Sequence, residues 1–156
     1  MTGRAEVDSL RQRLDATFNR ASGMGGDAEL LSDFSRYLCV LVSGFLERSI
    51  VELVLEHVRR NSHPSVQRHI EARLRRSFTN AKAQRIVDLL GSFDPAWRRD
   101  LDAFLIDEHK DAVDSIIHLR NTISHGKFVG LTMTRVRDYY ARVVIVVDHI
   151  ADLCLP

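Results

Sequence analysis

The chain has 156 residues, of which 45% are hydrophobic and 28% charged, and its formal net charge is +1. This length suits one domain with a substantial core, and the composition excludes disordered and fibrous classes. The first 20 residues are polar, and the longest uncharged stretch, residues 37–46, is about half of the ~20 residues that a membrane span needs. We therefore expect a soluble, cytoplasmic protein with no membrane partner.

The two cysteines, Cys39 and Cys154, are far apart, and each lies within an apolar helical pattern. Neither belongs to a cluster with metal-ligand spacing, which favours buried, reduced thiols over a disulfide or a zinc site. We predict no metal and no cofactor.

Helical spacing of apolar residues runs through nearly every segment between the few glycines and prolines. Residues 1–21 predict a charged helix that ends at the Gly-rich turn 23–26, and a long helix follows from Asp27 to about Arg60. Five apolar residues of this helix lie close to one face: Phe34, Leu38, Leu41, Phe45 and Ile50. Four more broaden the apolar surface: Leu30, Tyr37, Val40 and Val54.

A turn at residues 61–64, with proline at a first helical position, introduces a shorter basic helix through Arg76. Asn80 is predicted to cap the next short helix, and Gly91 to stop it. Residues 94–95 then open a helix that continues, straight or bent, to residue 125.

Gly126 is the predicted C-terminal stop of that helix, and Thr132 or Thr134 is predicted to cap the last one. The valine-rich run 143–147 resembles a strand, but its flanks keep the helical period, so we predict a helix. The fold expected is all-α: an antiparallel four-helix-type bundle with additional short helices. One domain covers residues 1–156, with an N-terminal helix and turn at 1–26 and a core bundle at 27–153.

A polar stripe runs along the helix before Gly126. At about 100° per residue, one narrow face carries Asp114, His118, Asn121 and His125. Arg120 falls on the apolar side, where a guanidinium is seldom buried without a partner or a function.

Two interpretations of these residues stay open. The stem of Arg120 could pack on apolar neighbours while its head reaches water or a carboxylate, and the histidines could be a solvated face or a favourable C-terminal charge. Alternatively, RNA cleavage without a metal needs a group that exchanges protons near neutral pH and a fixed cation for the phosphorane. Histidine suits the first role and arginine the second, while Asn121 could bond phosphate or orient the histidine.

Residues 120–126 read RNTISHG and resemble the RNxxxH motif of the HEPN superfamily. The surrounding chain is similar to the RiboL-PSP-HEPN branch, through FLERSI at residues 45–50, NAK at 80–82 and IVDLLGSFD at 86–94. The resemblance covers most of residues 27–153.

This resemblance implies a four-helix core and a symmetric homodimer that brings two motifs into one cleft. It also implies metal-independent endoribonuclease activity that leaves 2′,3′-cyclic phosphate and 5′-hydroxyl ends. Many members are toxins of toxin–antitoxin or phage-defence systems, so an antitoxin protein is a further expected partner. Other members bind nucleotides or partners without cleaving RNA, which is the alternative function.

By motif position, the resemblance makes Arg120 and His125 the catalytic residues, with Asn121 supporting them. His118 and Glu47 are further supporting candidates, although an intrahelical pair with a nearby arginine explains Glu47 equally well. Asn80 is interpreted as a helix cap rather than as a catalytic group.

Charge is segregated along the chain. Eight basic residues and one acidic residue lie in the segment 59–85, whereas seven acidic and three basic residues lie in the segment 94–114. This pattern is typical of an RNA-binding face beside an acidic one, and it also fits two segments that neutralise each other by packing. The candidate RNA-binding residues are Arg76, Lys82, Arg85 and Lys127.

Three hypotheses follow: a dimeric ribonuclease, a non-catalytic binding module, and a structural helical adaptor in which Arg120 is an ion-paired core residue. Five helical steps separate Arg120 from His125 by about 140°. The two side chains can meet at one phosphate in three ways. The long arginine side chain can reach around the helix, the helix can end at His125 and free its side chain, or two subunits can each contribute one of the residues.

Overall fold

A computed structural model describes residues 3–156, which form seven α-helices and no strand. The helices are α1 (Gly3–Ser22), α2 (Ala28–Asn61), α3 (Pro64–Ser77), α4 (Ala83–Phe93), α5 (Pro95–Phe104), α6 (Asp107–Ser124) and α7 (Met133–Cys154). The all-α prediction is confirmed. Residues 1 and 2 of the predicted first helix lie outside the described part of the chain. Within that part, no helix is both long enough and apolar enough to cross a membrane.

The long helix α2 is the element around which α1, α3, α6 and α7 pack. It begins where predicted, because the Asp27 carboxylate accepts hydrogen bonds from the backbone N–H groups of Glu29 and Leu30. The middle of α2 is buried on several sides rather than along one stripe, as expected of a helix that is surrounded by other helices. The largest fully buried side chains of α2 are Leu38, Leu46, Ile50, Leu53 and Leu55.

The residues predicted to broaden the apolar surface of α2 are not all part of the core. Leu30, Tyr37 and Val40 are 50%, 52% and 39% exposed, whereas Val54 is fully buried. The reason is geometric: α1, α6 and α7 cover other sides of α2, and no element of residues 3–156 buries this one.

The helix predicted from residue 94 to residue 125 is two helices. The backbone of Asp107 has a positive φ of 49°, which breaks the helical hydrogen-bond ladder between α5 and α6. Leu105 fills the break as a buried residue. The bend lets α5 pack against α4 while α6 packs against α2 and α7.

Gly91 does not stop α4, which continues to Phe93. The absence of a side chain at Gly91 instead leaves room for the side chain of Arg98, because a Cβ at this position would lie 2.5 Å from Nε of Arg98. That arginine passes over the glycine and reaches Asp88, with Nη1 and Oδ1 3.0 Å apart. The helix ends just before Pro95, where Asp94 caps the following helix.

The last helix forms as predicted. Thr132 is its cap and accepts a hydrogen bond from the N–H of Arg135. The valine-rich run is helical, and its buried members, Val143, Val146 and Val147, recur with helical spacing. Tertiary packing on α2 and α6 overrides the strand preference of valine in this run.

Candidate functional site

Arg120 lies near the end of α6 and reaches across to α2. Its Nη2 donates a hydrogen bond to Oε1 of Glu47 at 2.7 Å, and the two side chains are 24% and 14% exposed. This contact explains why an arginine occupies the apolar side of the helix: it crosses that side to meet a carboxylate. The Glu47 pair is therefore a long-range contact between helices and not an intrahelical one.

One nitrogen of the Arg120 guanidinium is not satisfied. Within residues 3–156, its Nε is buried and has no hydrogen-bond partner. A buried charged donor without a partner is costly, and the cost calls for a specific explanation. The guanidinium is thus held in place by one carboxylate while part of its hydrogen-bonding capacity is unused.

Asn80 joins the cluster from the connection between α3 and α4. Its Oδ1 accepts hydrogen bonds from Nδ2 of Asn121 at 2.9 Å and from Nη2 of Arg120 at 3.4 Å. The backbone of Asn80 has a φ of 56°, in the left-handed region that asparagine tolerates better than most residues. This conformation makes a tight turn, closed by the N–H of Lys82 on the Asn80 carbonyl at 2.7 Å.

The prediction that Asn80 caps α4 is wrong, because the helix begins at Ala83. Asp114 of α6 supplies the cap from outside, its Oδ1 accepting a hydrogen bond from the N–H of Ala83 at 2.8 Å. Asp114 and Asn121, two members of the polar stripe, therefore bind the first residue of α4 and the turn before it, respectively. Sequence reasoning missed the contact of Asn80 with the motif, and the one local signal for it was the tolerance of asparagine for a left-handed turn.

His125 ends α6 as its C-cap, and Gly126 follows with a φ of 74°, as predicted for a C-terminal glycine. The imidazole is exposed, and among residues 3–156 no hydrogen bond joins it to another side chain. The chain thus brings Arg120 and Asn121 together with Glu47 and Asn80, and leaves His125 free at the helix end.

His118 lies elsewhere. It lines a small cleft of about 200 Å³ between α6 and α7, together with Ser115, Arg135 and Tyr139. Among the described residues, no hydrogen bond joins the side chain of His118 to that of Arg120.

The four predicted RNA-binding residues lie at different places on the surface of the chain. Lys82 and Arg85 line a cleft between α3 and α4 that Asn80 also lines. Arg76 is exposed on α3, and Lys127 is exposed two residues after His125. All four side chains are accessible in the single chain.

The basic segment 59–85 and the acidic segment 94–114 do not neutralise each other directly. Several arginines of the basic segment pair instead with glutamates of α2 and α3, the contacts being Arg59–Glu56, Arg60–Glu56, Arg75–Glu52 and Arg75–Glu71. Among the described residues no ion pair joins the two segments. Direct pairing of these segments therefore does not account for the segregated charge.

Neither cysteine offers a thiolate at neutral pH. Both are unpaired and buried, as predicted. Burial raises the pKa of the Cys39 thiol to about 12 from its usual 9.0, and the nearby positive charge of Arg120 opposes this shift without cancelling it. Within the described chain, no group of three or more His, Cys, Asp or Glu residues is arranged to hold a metal ion.

Comparison with known proteins places this arrangement in a family. The RiboL-PSP-HEPN family model matches residues 6–155, nearly the whole chain. No curated protein and no solved structure shows a significant match. With helices alone in its described part, an RNxxxH segment at the end of α6 and a family match over almost its full length, the chain belongs to the RiboL-PSP-HEPN family.

Proposed function

We propose that this protein is a metal-independent endoribonuclease that acts as a homodimer through Arg120 and His125. The observation that carries the proposal is the fixed guanidinium of Arg120, bonded to Glu47 and Asn80, close in sequence to an accessible imidazole at the helix end. A purely structural ion pair requires neither the asparagine contacts nor the free histidine.

The proposed chemistry uses the two side chains in separate roles. The 2′-oxygen of the RNA attacks the adjacent phosphorus, the bond from phosphorus to the 5′-oxygen breaks, and a 2′,3′-cyclic phosphate and a 5′-hydroxyl result. His125 accepts the proton from the 2′-hydroxyl and returns it to the leaving 5′-oxygen. Arg120 stays charged throughout and stabilises the negative charge that develops on the phosphate oxygens.

The position of Arg120 depends on its neighbours in this proposal. Glu47 and Asn80 hold Nη2 and Nε is buried, so Nη1 is the nitrogen that keeps one orientation toward the phosphate. Asn121 is tied to Asn80 and supports the same orientation. These three residues are positioning residues.

The dimer is part of the proposed mechanism. The exposed Tyr37 and Val40 lie with Gly44 at helical spacing on α2, and the next turn carries Glu47. Exposed large apolar residues at such spacing are typical of a helix that packs against another chain. A second copy seated here would bring its own helix end toward the Arg120 cluster, so that Arg120 of one subunit and His125 of the other meet at one phosphate.

The biological role that we propose is that of a toxin or a defence effector restrained by an antitoxin partner. The alternative is a binding module that holds a nucleotide or a protein without cleaving RNA. The observation that favours this alternative is that His125 makes no hydrogen bond to the Arg120 cluster within the described chain.

The test compares wild type, Arg120→Ala, His125→Ala and the control His69→Ala, an exposed histidine on α3. With single-stranded RNA in EDTA, we expect both motif variants to lose about 10²–10⁴-fold in cleavage rate and the control to match wild type. Products should carry a 5′-hydroxyl that a kinase can phosphorylate directly. His118→Ala should have a smaller effect than His125→Ala, because His118 lines a separate cleft.

Mixed dimers test whether the site is composite. When Arg120→Ala and His125→Ala chains are mixed, half of the dimers pair one of each, and one of their two sites is intact. Cleavage should then recover to roughly a quarter of the wild-type rate, as two-fold symmetry requires. No recovery in proven mixed dimers contradicts the shared site, and a folded wild-type protein that cleaves no RNA but binds a nucleotide supports the alternative. Growth arrest that follows the same pattern as cleavage supports the toxin role.

A further inference from the structure

A cleft of about 700 Å³ lies between α3 and α4, next to the proposed catalytic cluster. Its size falls within the usual range of small-molecule sites. Asn80 lines this cleft and also bonds Arg120 and Asn121. One residue therefore forms a wall common to the cleft and the cluster.

The rim of the cleft is cationic. Arg73, Lys82 and Arg85 line it, and within residues 3–156 none of the three has an ion-pair partner. The one carboxylate in the lining, Asp88, is held by Arg98 at 3.0 Å, which also keeps its pKa below the usual range. The cleft thus presents unneutralised positive charge suited to phosphate.

The wall of the cleft is apolar. Phe78, Leu89 and Phe93 contribute to it, and the last two are only partly buried in the core. Arg85 lies over the Phe78 ring, with Cζ 5.5 Å from the ring centroid, and donates a hydrogen bond to the carbonyl of Ser77 at 2.7 Å. An arginine held in this way offers its planar face as well as its charge to a ligand.

The combination selects one class of ligand. A cationic rim alone would suit any anion, and an apolar wall alone would suit any apolar group. A nucleotide has both parts, a planar base that packs on apolar surface and a phosphate that pairs with cations. Gln84 and Ser92 also line the cleft. The Gln84 Nε2 donates to Asp88 and the Ser92 hydroxyl to the Leu89 carbonyl, so both side chains keep an oxygen that can accept a hydrogen bond from the edge of a base.

We propose that this cleft binds the ribonucleotide adjacent to the scissile phosphate, with its base on the apolar wall and its phosphate on Lys82 and Arg85. This inference rests on the proposed nuclease function and assigns the site a neighbouring base subsite. The RNA strand then runs from the Arg120 cluster past Asn80 into the cleft. A peptide segment on the apolar wall is the competing occupant, and the charge of the rim argues against it.

The test is an affinity measurement on the non-cleaving His125→Ala protein, so that binding is read without catalysis. The affinity for a labelled eight-nucleotide RNA is measured by fluorescence anisotropy. Lys82→Gln and Arg85→Gln are each introduced as a second substitution into the His125→Ala protein. The control is Arg68→Gln in the same protein, an exposed α3 arginine outside the cleft lining. Each cleft variant should weaken binding about tenfold and lower the salt dependence of log K by about 0.7 for each lost phosphate contact. The control should retain the parent affinity.

Abasic substitution tests the base contact. One abasic position in the RNA should weaken binding roughly 5- to 100-fold, and Leu89→Gln should remove that difference. The proposal is overturned if the cleft variants bind like Arg68→Gln, if no abasic position matters, or if Leu89→Gln leaves the abasic effect intact. The failures of the two proposals are distinguishable: cleavage by wild type without dependence on the cleft removes only this inference, whereas binding in the cleft by a wild-type protein that does not cleave removes the nuclease and leaves a nucleotide-binding cleft without a scissile phosphate beside it.

Discussion

The ion pair between Arg120 and Glu47 provides the most direct test of the site, and the change we consider is Glu47→Gln. The substitution keeps the size of the side chain and removes the charge that faces Nη2 of Arg120 at 2.7 Å. The guanidinium is then left partly buried, with an Nε that already has no partner within residues 3–156. We therefore expect a measurable loss of stability.

The magnitude follows from the exposure of the pair. Removing one member of a fully buried pair costs about 3–5 kcal/mol, whereas exposed pairs contribute about 0–1 kcal/mol. With exposures of 24% and 14%, the pair lies between these limits, and we expect a loss of about 1–2 kcal/mol. In a chain of this size the loss corresponds to a melting temperature lower by roughly 5 °C.

The assay is urea denaturation followed by circular dichroism, at one protein concentration because a dimer adds stability by mass action. Glu108→Gln is the matched control: it breaks a 2.9 Å pair with Arg142 whose side chains are 61% and 39% exposed. We expect the control to change the free energy of unfolding by less than about 0.5 kcal/mol.

A double-mutant cycle with Arg120→Met completes the test. Because both variants remove the same contact, the double variant should lose less stability than the sum of the single losses, by about 1 kcal/mol or more. An additive cycle, or a Glu47→Gln loss equal to that of the control, would refute the view that Glu47 holds Arg120. If Arg120→Met cleaves RNA normally, the arginine is only a structural residue.

Two further predictions concern the frame of the site and its thiols. Asp114→Ala should cost about 1 kcal/mol of stability, because it removes the external cap on the N–H of Ala83, while Asp111→Ala, an exposed residue of the same helix, should be neutral; equal effects in urea denaturation would contradict this role. Cys39 and Cys154 should resist alkylation by iodoacetamide at pH 8.5 in the folded protein and react once it is unfolded, as read by mass spectrometry, since burial raises the pKa of each thiol to about 12. The folded chain keeps these protons where the unfolded chain loses them, so stability should fall as the pH rises from about 9 toward 12; rapid alkylation of the folded protein would contradict the assignment.

Local chemistry was sufficient for most of the helix ends. Asp27, Thr132 and Gly126 act within one turn of their own position, through a side chain that accepts a nearby N–H or a backbone that tolerates a positive φ. Such signals are contained in a few consecutive residues. The same holds for the motif itself, whose arginine, asparagine and histidine are read directly from the chain.

Packing decided the features that the sequence predicted wrongly or left open. The exposure of Tyr37 and Val40 depends on which sides of α2 the other helices cover, and the break at Asp107 depends on α5 and α6 packing against different partners. Apolar spacing identifies a face that can be buried, but it does not say whether this chain buries it.

The sequence by itself determined that a helix ends at His125 and that Arg120 lies on its apolar side. Only the tertiary structure decided which residues that arginine contacts. Glu47 is 73 residues from Arg120 in the sequence and Asn80 is 40 residues from it, and no pattern of residue spacing predicts contacts over such separations. Contacts between side chains so far apart in the chain depend on the angle and separation at which helices pack, and these are set by the whole core rather than by the residues that touch.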